Sequence, residues 1–80
     1  MKKVDGLNIA VGKTIKELRV MRNLSQEDLA EKCDTSAVYI SEIERGIKNP
    51  TVTTLMVIAH SLDLKMSELV NQLENNLKYE

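Results

Sequence analysis

The side chains of this sequence that could do chemistry would make hydrogen bonds and ion pairs, not covalent bonds. Ser25 stands where it can cap a helix, with Asp28 three residues on as a capping-box partner. A helix start presents free N–H groups and a partial positive charge that suit a phosphate, and Ser25 and Gln26 sit at that end. Arg22 precedes them, and Arg45 and Lys48 form a second basic segment just before the only proline, Pro50. Ser36 offers another cap after Asp34-Thr35. No Ser-His-Asp set, phosphate-cradling glycine loop or paired-carboxylate cleft is suggested, so enzymatic activity is not expected. The single cysteine, Cys33, reads as a small core residue rather than a sensor thiol. His60 has no Cys or His at ligand spacing, so neither a metal nor a cofactor is expected.

The distribution of charge says more than its sum. The net charge is -1, which by itself does not suggest a nucleic-acid partner. Lys13, Lys16, Arg19 and Arg22 against Glu17 nevertheless make the first helical segment +3, and Arg45 and Lys48 make the loop from Arg45 to Pro50 +2. Between them, Glu27, Asp28, Glu31 and Asp34 against Lys32 give -3. Positive charge therefore flanks an acidic centre, where phosphates would pass. The alternative is a set of ordinary solvated faces.

These groups need elements to hold them. Eighty residues make one domain, near the lower end of what folds without staples. With 42% hydrophobic residues and no Phe or Trp, the core must be Leu, Ile, Val, Ala and Met. One cysteine excludes an internal disulfide, and neither a transmembrane run nor a signal-peptide apolar region is present, so a cytoplasmic location is expected.

Residues 1–6 read as a flexible N-terminus. Asp5 or Asn8 could cap a first helix running to about Asn23, with Val11, Ile15 and Leu18 inward and Leu24 packed beneath the turn. Gly12 inside that helix costs about 1 kcal/mol against Ala, and a close approach of another backbone would explain it. Two short helices follow between about residues 25 and 45: Leu29, Ala30 and Cys33 repeat at helical spacing, then Ile40 and Ile43, with Gly46 as a C-cap. Thr51 can cap a fourth helix with Val52, Leu55, Ile58, Ala59 and Leu62 on one face. A fifth, over about residues 66–78, carries Met66, Leu69, Val70, Leu73 and Leu77. Its cap is poor: Lys65 sits at the start, and Ser67 is the alternative. The reading is an all-α chain of five helices in one domain, 1–80. A helix pair as short as the second and third cannot bury itself. The arrangement with a known job is the helix-turn-helix, whose second helix enters the DNA major groove.

The words IKELR, LSQEDLAEKC, YISEIERGIKNP, TLMVIAHSLDL and SEL, over Ile15 to Leu69, are those of a known family. On them the chain resembles the Cro/CI (Xre-type) helix-turn-helix regulators. Among the small members it looks like the controller proteins of restriction–modification systems. The resemblance implies a compact five-helix bundle, a lambda-repressor-like DNA-binding domain that binds operator DNA as a two-fold dimer. It further implies a role for each matching residue. Gln26 would touch a phosphate or base edge. Ser36, Ala37, Val38, Tyr39 and Glu42 would occupy the exposed positions of the reading helix. Arg45, Lys48 and Asn49 would contact the DNA backbone; independently of the resemblance, the charge of Arg22 and the helix start at Ser25 add to that set. Arg19 and Glu44 would form a buried ion pair, the alternative being two separate surface charges.

The chain departs from the family pattern at the reading helix, where Arg, Gln or Asn often make bidentate base contacts. Here the set is small, apolar or acidic. Ser36 could donate or accept as well as cap. Ala37 and Val38 could lie against thymine methyls, although Val38 could instead pack inward. Tyr39 could use ring or hydroxyl, and Glu42 could accept from cytosine or stand as a solvated charge. Asp34 replaces the usual turn glycine, and Asp tolerates a left-handed backbone better than most residues.

Partners follow from the same reading. Leu69 is expected inward, with Val70, Leu73 and Leu77 between two subunits, so that two reading helices meet a palindromic operator about 34 Å apart. The acidic face of Glu27, Asp28 and Glu31 is a candidate contact for RNA polymerase in an activating regulator. No membrane or small-molecule ligand is expected. The reading from a different class is a protein-interaction module of the same fold, such as an antitoxin or anti-regulator.

Overall fold

The computed structural model describes residues 5–77. The first four residues of the segment read as a flexible N-terminus, and residue 78 of the expected fifth helix, lie outside that range. Five helices follow in order: α1 Leu7–Met21, α2 Gln26–Lys32, α3 Ala37–Glu44, α4 Val52–Ser61 and α5 Met66–Asn76. Each is amphipathic, and their apolar stripes converge on one core. Ile15, Leu29, Ile40, Ile43, Ile58, Leu62 and Leu69 are its fully buried members, with Val11, Leu18, Ala30 and Ala59 around them. Every helix contributes at least one of these residues or, for Leu62, the cap that ends it. The helices are too short to stand alone, so this shared burial holds them.

Four of the helix ends close in the same way. After α1, α2, α3 and α4 the chain turns through a left-handed residue: Asn23 (φ 57°), Asp34 (φ 55°), Gly46 (φ 76°) and Asp63 (φ 56°). In each case the next residue's N–H reaches back to a carbonyl five positions earlier: Leu24 to Arg19, Thr35 to Ala30, Ile47 to Glu42 and Leu64 to Ala59, at 2.8–3.2 Å. The left-handed residue bonds three positions back inside that loop. This double closure satisfies carbonyls that a helix end otherwise leaves open. Asn and Asp take three of the four positions because their short polar side chains tolerate this backbone better than most.

The starts are less uniform. Ser25, Ser36 and Thr51 cap α2, α3 and α4 by accepting from the N–H three residues on, at 2.9, 3.1 and 3.1 Å. Neither Asp5 nor Asn8 caps α1. The cap position is Gly6 with φ 72° and no side-chain bond, because a left-handed entry there suits glycine. Nor does Ser67 cap α5. Lys65 is the cap residue, and the Glu68 carboxylate reaches back to accept its N–H at 3.0 Å, so the stabilisation comes from the third helical position alone. Val52 is also not part of the inward face of α4. It is 66% exposed, since the first turn of that helix projects beyond the core.

Gly12 has the close neighbour its place in a helix suggests. A Cβ built there would lie 2.5 Å from the Ile43 carbonyl oxygen and 2.6 Å from that of Glu44. The end of α3 thus rests on the backbone of α1. Two residues on, Thr14 is fully buried and donates to the Ala10 carbonyl at 2.7 Å, and it accepts from the Asn76 amide at 2.9 Å. The same amide donates to Glu17 at 2.7 Å, fastening the last turn of α5 to α1.

Candidate nucleic-acid interface

The site is assembled around the carboxylate of Glu44, the last residue of α3. Arg19 of α1 donates to it through Nε at 2.7 Å and through Nη2 at 2.9 Å, a two-pronged contact. Its remaining nitrogen, Nη1, donates to the Leu24 carbonyl at 2.7 Å, in the turn that leads into α2. Gln26, the first residue of α2, donates to the same carboxylate at 3.1 Å. The two charged side chains are only 10% and 3% exposed. Hydrogen bonding to Glu44 raises the Arg19 pKa above its ordinary value against the opposing effect of burial. A buried ion pair needs every donor and acceptor met. Among the described residues no buried side-chain nitrogen or oxygen lacks a partner. Three helices therefore meet at one carboxylate.

At the start of α2 the Ser25 hydroxyl accepts from the Asp28 N–H, and the Asp28 carboxylate accepts from the Ser25 N–H, both at 2.9 Å. The bond from the Ser25 backbone N–H, then that with its hydroxyl, holds the Asp28 carboxyl below the usual carboxylate range. At the start of α3 the Ser36 hydroxyl accepts from the Tyr39 N–H, which leaves its own proton free to donate outward. Capping and reading are thus compatible in that side chain.

The structure distinguishes among the residues expected on the outward side of α3. Ser36 is exposed and Val38 is 68% exposed, so Val38 does not pack inward. Ala37 and Tyr39 depart from the expectation of an exposed position. Both are half-buried and packed against the core. Tyr39 lines a cleft with Cys33, Thr35, Thr54 and Val57. Glu42 is half-buried. Beyond α3, Arg45, Lys48 and Asn49 are all exposed, as is Ser25. Arg22 is half-buried and donates to the Leu18 carbonyl of its own helix at 3.4 Å. The +3 of the first helix includes Arg19, whose charge is spent on Glu44 and cannot meet a phosphate.

The expected subunit contact is partly enclosed. Leu69 is buried, while Val70, Leu73 and Leu77 are half-buried, with Leu73 packed against the core. Cys33, expected in the core, is half-buried, and its thiol donates to the Ser61 hydroxyl at 3.3 Å. The features that sequence reasoning missed are the Gln26–Glu44 bond and the left-handed stops at Asn23 and Asp63. An Asn-Leu and an Asp-Leu pair at helix ends were the available signal for the stops. No local signal could have revealed a bond between residues 18 positions apart.

With this geometry in place, the chain can be compared with known proteins. Residues 15–69 match the family model described as Helix-turn-helix. The chain is 39% identical over 64 residues to the immunity repressor protein of Bacillus phage phi105, an alignment that spans 80% of this chain and 44% of the repressor. The chain thus spans less than half the length of that relative. It is 31% identical over 68 residues to the control protein C.BamHI of Bacillus amyloliquefaciens, with 84% of each chain covered. Among solved structures it is similar to the restriction–modification controller protein C.Esp1396I, described as a tetramer in complex with its natural 35 base-pair operator. The TM-score is 0.83 at 32% identity, covering 89% of this chain and 93% of that one.

Proposed function

Because the chain belongs to the Helix-turn-helix family of non-enzymatic DNA-binding transcriptional regulators, we propose that it acts as a dimer on a palindromic operator in double-stranded DNA. The observation that carries this reading is the setting of α3: its C-terminal end is fixed at Glu44, Ser36 and Val38 are exposed at its start, and Arg45, Lys48 and Asn49 are exposed just after its end. In this reading α3 lies in the major groove. Ser36 donates to a base acceptor, and Val38, with the edge of Ala37, covers thymine methyls. Tyr39 offers its hydroxyl from a half-buried ring, and Glu42 accepts from cytosine or repels wrong sequences. Arg45, Lys48, Asn49, Arg22 and the capped start of α2 at Ser25 hold phosphates. The small side chains leave much of the selectivity to groove shape and bendability. Val70, Leu73 and Leu77 of α5 join two copies.

The acidic outer face of α2, with Glu27, Asp28 and Glu31 all exposed, is proposed as the contact for RNA polymerase if the regulator activates. A cytoplasmic site of action fits this role, and among the described residues no helix is long and apolar enough to cross a membrane. Footprinting on the DNA upstream of the chain's own gene tests the reading. A protected two-fold site at low and moderate salt supports it. Equal, weak binding to random duplex at low salt only would instead favour a protein-interaction module.

A further inference from the structure

We infer that Gln26 is a positioning residue that sets the reading helix through Glu44, not a reader of base edges. The inference rests on the regulator reading above and concerns how that site is held. Gln26 opens α2, and its amide nitrogen donates to Glu44 Oε1 at 3.1 Å. The same oxygen takes Arg19 Nη2 at 2.9 Å, and the other takes Nε at 2.7 Å. Glu44 is also where the backbone of α3 meets α1 at Gly12, with no room for a Cβ between them. The C-terminal end of α3 is therefore gripped by side chains from α1 and α2 and by backbone contact with α1.

The reading end is held by apolar contact alone, where Ala37 and Tyr39 rest on the core. Ser36 bonds only within its own turn, to the Tyr39 N–H. The two ends are eight residues apart, about 12 Å at the helical rise. A tilt of about 10° at Glu44 would move the first turn of α3 by about 2 Å over that length, more than a hydrogen bond to a base edge tolerates. One N–H of the Gln26 amide thus holds the pivot. Its loss would leave the Arg19 pair and the core intact while loosening the angle of the helix.

Two arms test this with the full chain, using Q26A and Q26M, the second keeping bulk without the donor. The first uses no DNA. Backbone amide shifts should move through residues 37–44 in both variants, with melting temperature nearly unchanged. Shifts confined to the neighbours of residue 26 would overturn the inference. In the second arm, wild type selects a duplex from a random-sequence pool, and each base pair of that duplex is then substituted in turn. The variants should lose several-fold preference at all positions of the half-site together, while random-duplex affinity and its salt dependence hold. Preference lost at one base pair alone, or at none, would overturn the inference. A wild-type chain that enriches no sequence would defeat the regulator reading instead, and the first arm would still decide the role of Gln26.

Discussion

Arg19 and Glu44, 25 residues apart in the chain, form a two-pronged ion pair at 2.7 and 2.9 Å with both side chains nearly shut off from water. Taking two charges out of water is costly, and attraction offsets that cost only when geometry and hydrogen bonding are complete. Here they are. The guanidinium has the carboxylate and the Leu24 carbonyl, and the carboxylate has Arg19 and Gln26. The gain is one of orientation: three helices are referred to a single point next to the reading surface.

Removing one partner should be far worse than removing both. R19M or E44L alone should cost about 3–5 kcal/mol, because a buried charge is left without its counterpart. The double variant R19M/E44L should recover much of that loss, short of full recovery because the Gln26 amide then has no acceptor. Urea denaturation of the four proteins gives the coupling energy. Additive losses would show that the two residues do not act as a pair.

Gly12 lies in the middle of a helix, where alanine would ordinarily gain about 1 kcal/mol. G12A should do the opposite. Its Cβ would sit 2.5–2.6 Å from two backbone carbonyl oxygens of α3, and backbone cannot swing aside as a side chain can. Destabilisation of about 1–3 kcal/mol is expected from such overpacking. A thermal melt that rises in G12A would mean the two helices are not in contact there.

The cap of α2 gives a pH signature. The Asp28 carboxyl is held below its ordinary range by the Ser25 N–H, so the folded state binds its proton less readily than the unfolded one. Its contribution to stability is therefore complete above the unfolded pKa of about 3.9 and fades as pH falls through the depressed folded value. D28N should flatten the acid branch of the stability curve, and S25A should lower stability by about 0.5–2 kcal/mol. An acid branch of unchanged slope in D28N would locate that dependence elsewhere.

The dimer proposal can be tested without disturbing the core. Val70 and Leu77 are only half-buried, whereas Leu73 packs on core residues. V70K and L77K should shift sedimentation from dimer to monomer with modest loss of helicity, while L73E should do both at once. A dimer that persists in V70K/L77K would move the interface to another face. The apolar residues most open to water on α4, Val52 and Met56 at 66% and 54% exposure, would then be the next to change.

Most of the helical framework was legible in the sequence because its signals are local. Three caps, the left-handed Asp34 and Gly46, and the period of the apolar residues each act within a turn or two of chain. Gly12 announced a close approach but not its partner, since the Ile43 and Glu44 carbonyls are some thirty positions away. Asp5, Asn8 and Ser67 misled because cap propensity cannot tell which of several neighbouring polar residues the chain will use. Here a left-handed Gly6 and the reach of Glu68 decided instead. Exposure along α3 was the least readable feature. Ala37 and Tyr39 rest on the core while Val38 between them does not, which is a property of the packed bundle.

The charges that remain free after Arg19 is spent make a quantitative prediction. Arg45 and Lys48 are exposed at the end of the reading helix, and each phosphate neutralised releases counterions, changing the slope of log affinity against log salt by about 0.9. R45A and K48A should each flatten that slope by about this amount per subunit and weaken binding to all sequences alike. S36A should do the reverse: the slope should hold, while preference at one base pair falls by about 1–3 kcal/mol, the worth of a direct contact. Titrations of a selected duplex and a random duplex across a salt series separate the two outcomes. Slopes unchanged in both basic variants would mean the DNA backbone does not run past the segment after α3, and the orientation proposed for the complex would be wrong.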